Sequence, residues 1–255
     1  MPLPFDKASA APIRTQAGSD TACLLLHGLT GAPARDLWFL ADRLSAHGIS
    51  VVAPLLTGHG RTWKELEAAT AESWQDDALA GLDEARAMGK TVFVVGLSMG
   101  GTLTLYLGEH RPEITGLVTI NAPVYVDDPR MKVVPILRHF RKSQPKGPPD
   151  VADRDAMLPD LGFNSLEAVY QFERLIGGVR RDLGMVTQPL VSFRSTQDHV
   201  VPPRNAEYIQ DHVNSRFKSI VTLEHSYHCA TIDYDRERIA TGIEQFITLV
   251  QEQHV

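Results

Sequence analysis

Ser98 stands in Gly96-Leu97-Ser98-Met99-Gly100-Gly101, directly after an apolar run over residues 91–97 and at the head of a helical pattern over 99–110. A strand that turns sharply into a helix at G-x-S-x-G lifts the serine hydroxyl out at the carboxyl end of a sheet. The glycines on either side keep side chains out of the tight approach. The helix behind supplies N–H groups and partial positive charge. A hydroxyl presented in this way suits nucleophilic attack, provided that a base takes its proton.

That base should be a histidine late in the chain, with an acid between the two. Asp198 lies in Ser195-Thr196-Gln197-Asp198-His199-Val200-Val201-Pro202, just past the apolar run 190–193. His228 lies in Ser226-Tyr227-His228-Cys229, just past the run 220–223. Both fall on loops beyond strand ends, where open α/β sheets place their sites. Asp127 and Asp128, which follow the run 117–120, are alternative acids. They rank lower because the Asp198 loop lies between two expected strands near the end of the sheet. His225 falls at the strand end, before the loop, and ranks below His228. Asp233 and Asp235 read as caps of the last helix.

An oxyanion formed during attack needs two backbone donors. The first apolar run ends in His27-Gly28-Leu29-Thr30-Gly31. The N–H of Leu29 is expected to act with the N–H of Met99, and His27 is expected to orient the loop. A second loop, Thr57-Gly58-His59-Gly60-Arg61, is either a pocket wall carrying His59 or a plain turn. Cys229 follows the base, an order unsuited to a nucleophile, and reads as a packing residue.

The elements that must hold these residues alternate. Apolar runs at 22–26, 49–53, 91–97, 117–120, 190–193 and 220–223 lack polar alternation, the habit of strands covered on both faces. Helical patterns at 34–46, 73–88, 99–110, 203–212 and 235–253 lie between and after them. This alternation predicts an α/β domain with a mostly parallel central sheet flanked by helices. It breaks over 124–184, which holds the Pro-rich loop 144–149 and helical patterns at 131–140, interrupted by Pro135, and at 165–174. We therefore expect an α/β core over 1–123 and 185–255, and an inserted small helical cap, or lid, over 124–184. Apolar residues of the insertion, among them Tyr125, Phe140 and Met157, are candidates to line a substrate pocket.

Composition narrows the field. The 255 residues carry 25 Lys and Arg against 31 Asp and Glu, a net charge of −6, which argues against a nucleic-acid binder. Two cysteines cannot build a disulfide framework, and no Cys/His spacing reads as a zinc site. No run approaches the ~18 apolar residues of a membrane span, so no integral membrane role is expected. The first sixteen residues lack the apolar core of a signal peptide, so a cytoplasmic location is expected.

Taken together, His27-Gly28-Leu29-Thr30-Gly31, Gly58-His59-Gly60, the Ser98 turn, Asp198-His199-Val200-Val201-Pro202 and Ser226-Tyr227-His228 resemble the α/β-hydrolase family, within its group of small bacterial carboxylesterases and monoacylglycerol lipases. The resemblance covers nearly the whole chain. It implies an α/β-hydrolase fold with a helical cap, Ser98 as nucleophile, Asp198 as acid, His228 as base, and Leu29 and Met99 as oxyanion donors. It also implies hydrolysis of a small ester of short to medium acyl chain without metal or cofactor. Monoacylglycerol hydrolysis is the specific alternative. A non-catalytic ligand-binding protein of the same fold is the other.

Overall fold

The computed structural model describes residues 10–156 and 162–253. Its main sheet has seven strands in the order β1-β3-β2-β4-β5-β8-β9: β1 (Ile13–Thr15), β2 (Thr21–Leu26), β3 (Ser50–Ala53), β4 (Thr91–Leu97), β5 (Gly116–Ile120), β8 (Leu190–Ser195) and β9 (Lys218–Leu223). β6 (Ser143–Pro145) and β7 (Phe163–Ser165) form a separate antiparallel pair. Only β1 runs antiparallel in the main sheet; every other pairing there is parallel.

The expected alternation is present. β2, β3, β4 and β5 are buried over almost every residue, as continuous apolar runs demand. Successive side chains leave opposite faces. Leu24 and Leu26 enter one core with Trp74, Leu82, Leu103 and Val179, while Cys23 and Leu25 enter the other with Leu40, Leu44, Ile243 and Phe246. The helices on these faces are α2 (Trp38–Ala46), α4 (Ala71–Met88), α5 (Met99–His110), α7 (Leu166–Asp182), α8 (Asn205–His212) and α9 (Arg236–Gln253); α1 (Pro33–Asp36), α3 (Trp63–Glu67) and α6 (Val134–Leu137) are short. Among the described residues no helix is long and apolar enough to cross a membrane.

Register aligns the strand ends. Leu26 pairs with Gly96, Leu97 with Ile120 and Ser195 with Leu223, so the loops after β2, β4, β5, β8 and β9 leave one edge together. β2 is followed by β3 on one side, and β4 lies on its other side. The loops after β2 and β4 therefore diverge, and open the crevice where such sheets bind ligands.

Several local expectations change. The pattern at 131–140 is a 3-10 turn (Pro129–Val133) followed by the single turn α6, because Pro135 fits only the first turn of a helix. The pattern at 165–174 continues to Asp182. Gly177 and Gly178 do not stop α7, since Leu175, Ile176 and Val179 bury its inner face. Ser165 caps that helix by accepting the Ala168 N–H (3.3 Å). Asp235 precedes α9, but its carboxylate accepts the His225 N–H (2.8 Å) rather than a helix N–H.

Candidate active site

Ser98 has φ 54° and ψ −119°, a left-handed backbone that a non-glycine residue adopts at a cost of order 1–3 kcal/mol. The turn is held from below: the Ser98 N–H donates to Ile120 O (2.8 Å), and the Thr102 N–H donates to Ser98 O (3.1 Å). Two glycines make the turn possible. A Cβ at Gly96 would stand 2.1 Å from Gly100 O, and one at Gly100 would stand 2.0 Å from Leu26 O. The motif therefore packs strand, turn and helix at backbone-to-backbone distance.

Three sequence-expected side chains meet at this turn. The Ser98 hydroxyl donates to His228 Nε2 (2.9 Å), and His228 Nδ1–H donates to Asp198 Oδ2 (2.8 Å). A carboxylate can only accept, so the second bond fixes the tautomer that leaves Nε2 free to take a proton. Asp198 Oδ1 accepts the N–H groups of Val200 and Val201 (both 2.8 Å), which aims the other oxygen at the ring. Only 2% of the Asp198 side chain and 10% of the His228 side chain are exposed.

The loop after β2 lies against the serine. A Cβ placed on Gly28 would come within 3.4 Å of Ser98 Cβ. Met99 is the first residue of α5, where an N–H has no acceptor within the helix. Two buried histidines brace the loop. Leu56 N–H donates to His27 Nε2 (3.1 Å), so the proton of the neutral His27 ring sits on Nδ1 and donates to Gly28 O (2.9 Å). Burial, with the neighbouring His59, holds His27 far below the usual histidine range, which keeps this tautomer neutral. His59 Nε2 donates to Leu29 O (2.6 Å), and its ring meets His27 edge-on at 4.8 Å. His59, expected in a pocket wall, is buried beneath the loop after β2, where it holds the backbone of that loop.

Two of the other pocket candidates, Tyr125 and Phe140, lie within the described residues. Tyr125 stacks edge-on against Tyr208 under the Arg204 guanidinium, and lines an open surface depression with Asp127, Arg180 and Glu207. Phe140 is 84% exposed. Met157 lies outside the described residues. Asp127 pairs with Arg204, and Asp128 caps the 3-10 turn by accepting the Arg130 N–H (2.9 Å); it is Asp198, not either rival acid, that accepts from His228. Burial pushes the Cys229 thiol up to about 12, which keeps it protonated and unreactive.

Sequence reasoning missed three residues that hold the His228 loop. Asn121, left-handed at φ 47° at the end of β5, donates from Nδ2 to His228 O (2.9 Å) and Ser195 Oγ (3.0 Å). Asp150 accepts the N–H of His228 (3.1 Å). Asp233, expected as a helix cap, is fully buried and accepts four backbone N–H groups, from Ala152 (2.8 Å), Asp153 (3.0 Å), Tyr227 (2.9 Å) and Tyr234 (2.9 Å). An asparagine directly after a central strand was the one local signal available. Asp150 acts on residues distant in the chain, and Asp233 on two distant residues and two near ones.

Several known proteins are similar to this chain over most of its length. Residues 18–235 match the family model described as serine aminopeptidase, S33. The thermostable monoacylglycerol lipase of Bacillus sp. (strain H-257) is 37% identical over 85% of this chain and 86% of its own length. A carboxylesterase of Bacillus subtilis (strain 168) is 29% identical over 90% and 93%. A solved structure from work on LipS and LipT, two metagenome-derived lipolytic enzymes, superposes with a TM-score of 0.90 at 30% identity, covering 99% of this chain and 100% of that one. With a family model spanning most of its length and a relative this similar, the chain belongs to the serine aminopeptidase S33 family of α/β-hydrolases.

Proposed function

We propose that this protein is a carboxylic ester hydrolase that works through an acyl-enzyme on Ser98. The observation that carries the reading is the unbroken relay from the Ser98 hydroxyl through His228 to Asp198, at a strained turn beside the loop after β2. His228 Nε2 takes the hydroxyl proton as Ser98 Oγ attacks the ester carbonyl. The N–H groups of Leu29 and Met99 receive the oxyanion; removing one such donor typically costs about 10²–10³ in rate. The tetrahedral intermediate collapses, and the alcohol leaves with the proton from His228. Water, deprotonated by His228, then attacks the acyl-enzyme and releases the acid. Asp198 holds the imidazole tautomer and stabilises the imidazolium. Every step uses this chain's own groups and water.

Residues 124–184 are read as a lid that selects the acyl group. Short- to medium-chain esters are the proposed substrates. Monoacylglycerol is the second reading, favoured by the similarity to the Bacillus lipase.

The test is turnover of p-nitrophenyl esters of increasing acyl length, with Ser98→Ala as control. Ser98→Ala should lose at least about 10³-fold in kcat. The native protein should be labelled covalently by a fluorophosphonate, and the variant should not. Turnover unchanged in Ser98→Ala would sink the mechanism. Direct competition between a monoacylglycerol and a simple ester of the same acyl chain separates the two substrate readings.

A further inference from the structure

Beyond the relay itself, the arrangement leaves open what holds the acid and the base at the right spacing. β8 and β9 pair as far as Ser195 and Leu223, and the bond from Thr196 N–H to Leu223 O (3.0 Å) is the next backbone link between the two strands. Asp198 and His228 both lie beyond that point, on loops that the sheet ladder no longer joins; Ser195 Oγ donates to Tyr227 O (2.8 Å) and Gln197 Nε2 to Glu224 O (3.3 Å), but neither bond reaches Asp198 or His228 itself. We propose that Asp150, carried on the segment between β5 and β8, is a positioning residue that sets this spacing. Assembly of the relay then depends on that segment being seated. The inference rests on the ester-hydrolase reading above.

The geometry is specific. Asp150 Oδ2 accepts two backbone N–H groups at once, that of His199, next to the acid, and that of His228, the base itself, each at 3.1 Å. One oxygen atom therefore bridges the two loops. Asp150 Oδ1 accepts from His199 Nδ1 (2.8 Å), and the Asp150 carbonyl accepts the Cys229 N–H (3.0 Å). From the opposite side, Asn121 donates to His228 O (2.9 Å). The backbone of His228 is thus gripped through its N–H by the inserted segment and through its C=O by the sheet.

The grip extends along the segment. Lys146 Nζ donates to Thr30 Oγ1 (2.6 Å), in the loop after β2, and the Asp233 carboxylate joins Ala152 and Asp153 to Tyr227. Residues 146–153 therefore cross from the oxyanion loop to the base loop, bonded at both ends. Asp150 touches none of the reacting atoms. Its effect passes through the placement of an imidazole, and a misplacement of about 1 Å in such a group can cost about 10²-fold in rate.

The experiment measures kcat and KM on a water-soluble p-nitrophenyl ester for Asp150→Ala, Asp150→Asn, Asp150→Glu and His199→Ala, beside the native protein and Ser98→Ala. The downfield proton resonance of the His228–Asp198 bond is recorded for each. Asp150→Ala should lower kcat about 10- to 100-fold, leave KM within about threefold, and lose the resonance. Asp150→Asn keeps an oxygen that can accept both N–H groups, and should stay within about fivefold of native with the resonance intact. Asp150→Glu keeps the charge but is one methylene too long, and should lose about tenfold in kcat. It decides the matter should the alanine variant fail to fold. His199→Ala leaves both backbone bonds and should retain most activity. Native kcat in the Asp150→Ala or Asp150→Glu variant overturns the inference. So does an Asp150→Asn or His199→Ala variant as impaired as Asp150→Ala, because charge or the His199 ring would then be the cause. If Ser98→Ala retains turnover, the ester-hydrolase reading itself falls and takes this inference with it. If only the Asp150 variants behave as native, the reading stands and the inference alone falls.

Discussion

The carboxyl edge of the sheet and the segment between β5 and β8 are built to opposite rules. At the sheet edge, polar residues are buried and bonded: His27, His59, Ser98, Asn121, Ser195, His228 and Asp233 all lie inside, each with partners at hydrogen-bond distance. In the segment between β5 and β8, apolar residues stand outside: Val133 on a 3-10 turn, Ile136 on a one-turn helix, Phe140 in the turn after it and Phe163 on a three-residue strand are all exposed. Among the described residues of this segment, only α7 buries a full apolar stripe against the core. The contrast separates two tasks. Reacting groups need positions fixed by rigid elements, and the sheet edge supplies them. Under the proposed lid role, a surface that meets varied acyl chains can be built from short elements with adaptable side chains.

The hardest test of this division is a change at the rigid end that alters no shape. Asp198→Asn can keep the Val200 and Val201 N–H groups on its amide oxygen, but its NH2 then faces His228 Nδ1. An amide N–H cannot accept from Nδ1–H, so the imidazole is driven to the tautomer whose Nε2 carries the proton and cannot act as base. We expect kcat to fall by about 10³–10⁴ with the fold intact, following the behaviour of such substitutions in other triads. Circular dichroism and steady-state kinetics on the same preparation check it. A loss below tenfold would mean that the sheet edge does not depend on the tautomer, and would remove the basis of the comparison.

A second test lies at the seam between the regions. Glu109 on α5 is buried near the end of α7, and its Oε1 has no hydrogen-bond partner among the described residues. Burial, and then the Asp182 charge, raises its carboxyl to about 8. A carboxyl raised in the folded state favours folding fully below its unfolded value of about 4.5. That contribution is lost as pH rises towards 8, at no more than about 1.4 kcal/mol per pH unit. Glu109→Gln removes the titration, so its urea midpoint should fall less than the native one between pH 5 and pH 8. Parallel slopes in the two proteins would show that the seam does not feel the charge.

What was legible in the sequence follows the same division. The central strands could be read because parallel, doubly covered strands are continuous apolar runs, and Ser98 because its turn requires glycines at set distances. Asp198 and His228 follow from strand ends together with the order serine, acid, histidine. β1 escaped because it is three residues of an edge strand, Ile13-Arg14-Thr15, with no apolar run. β6 and β7 escaped because each is three residues long and β6 ends in Pro145. α7 runs past the pattern at 165–174 and through Gly177-Gly178, because Leu175, Ile176 and Val179 bury its inner face. Asn121, Asp150 and Asp233 act through bonds to backbone groups of residues that are mostly remote in the chain, and no local pattern encodes such a partner.

The smallest expected effect is at the adaptable end. Phe140 reads from sequence as a pocket residue, yet its ring is 84% exposed at the close of the turn after α6, where its N–H donates to Leu137 O (3.0 Å). That backbone bond survives any substitution except proline. Phe140→Ser gives up almost no buried area, so stability should change by less than about 0.5 kcal/mol. kcat/KM for an acetyl or butyryl p-nitrophenyl ester should stay within about twofold, since twofold corresponds to under about 0.5 kcal/mol of barrier. Thermal melts and kinetics across acyl lengths decide the point. A selective loss of activity on long acyl chains, with short ones untouched, would show that the ring reaches the bound chain when substrate is present. The inserted segment would then change shape during turnover, and the line between a fixed edge and an adaptable segment would be drawn by substrate as well as by sequence.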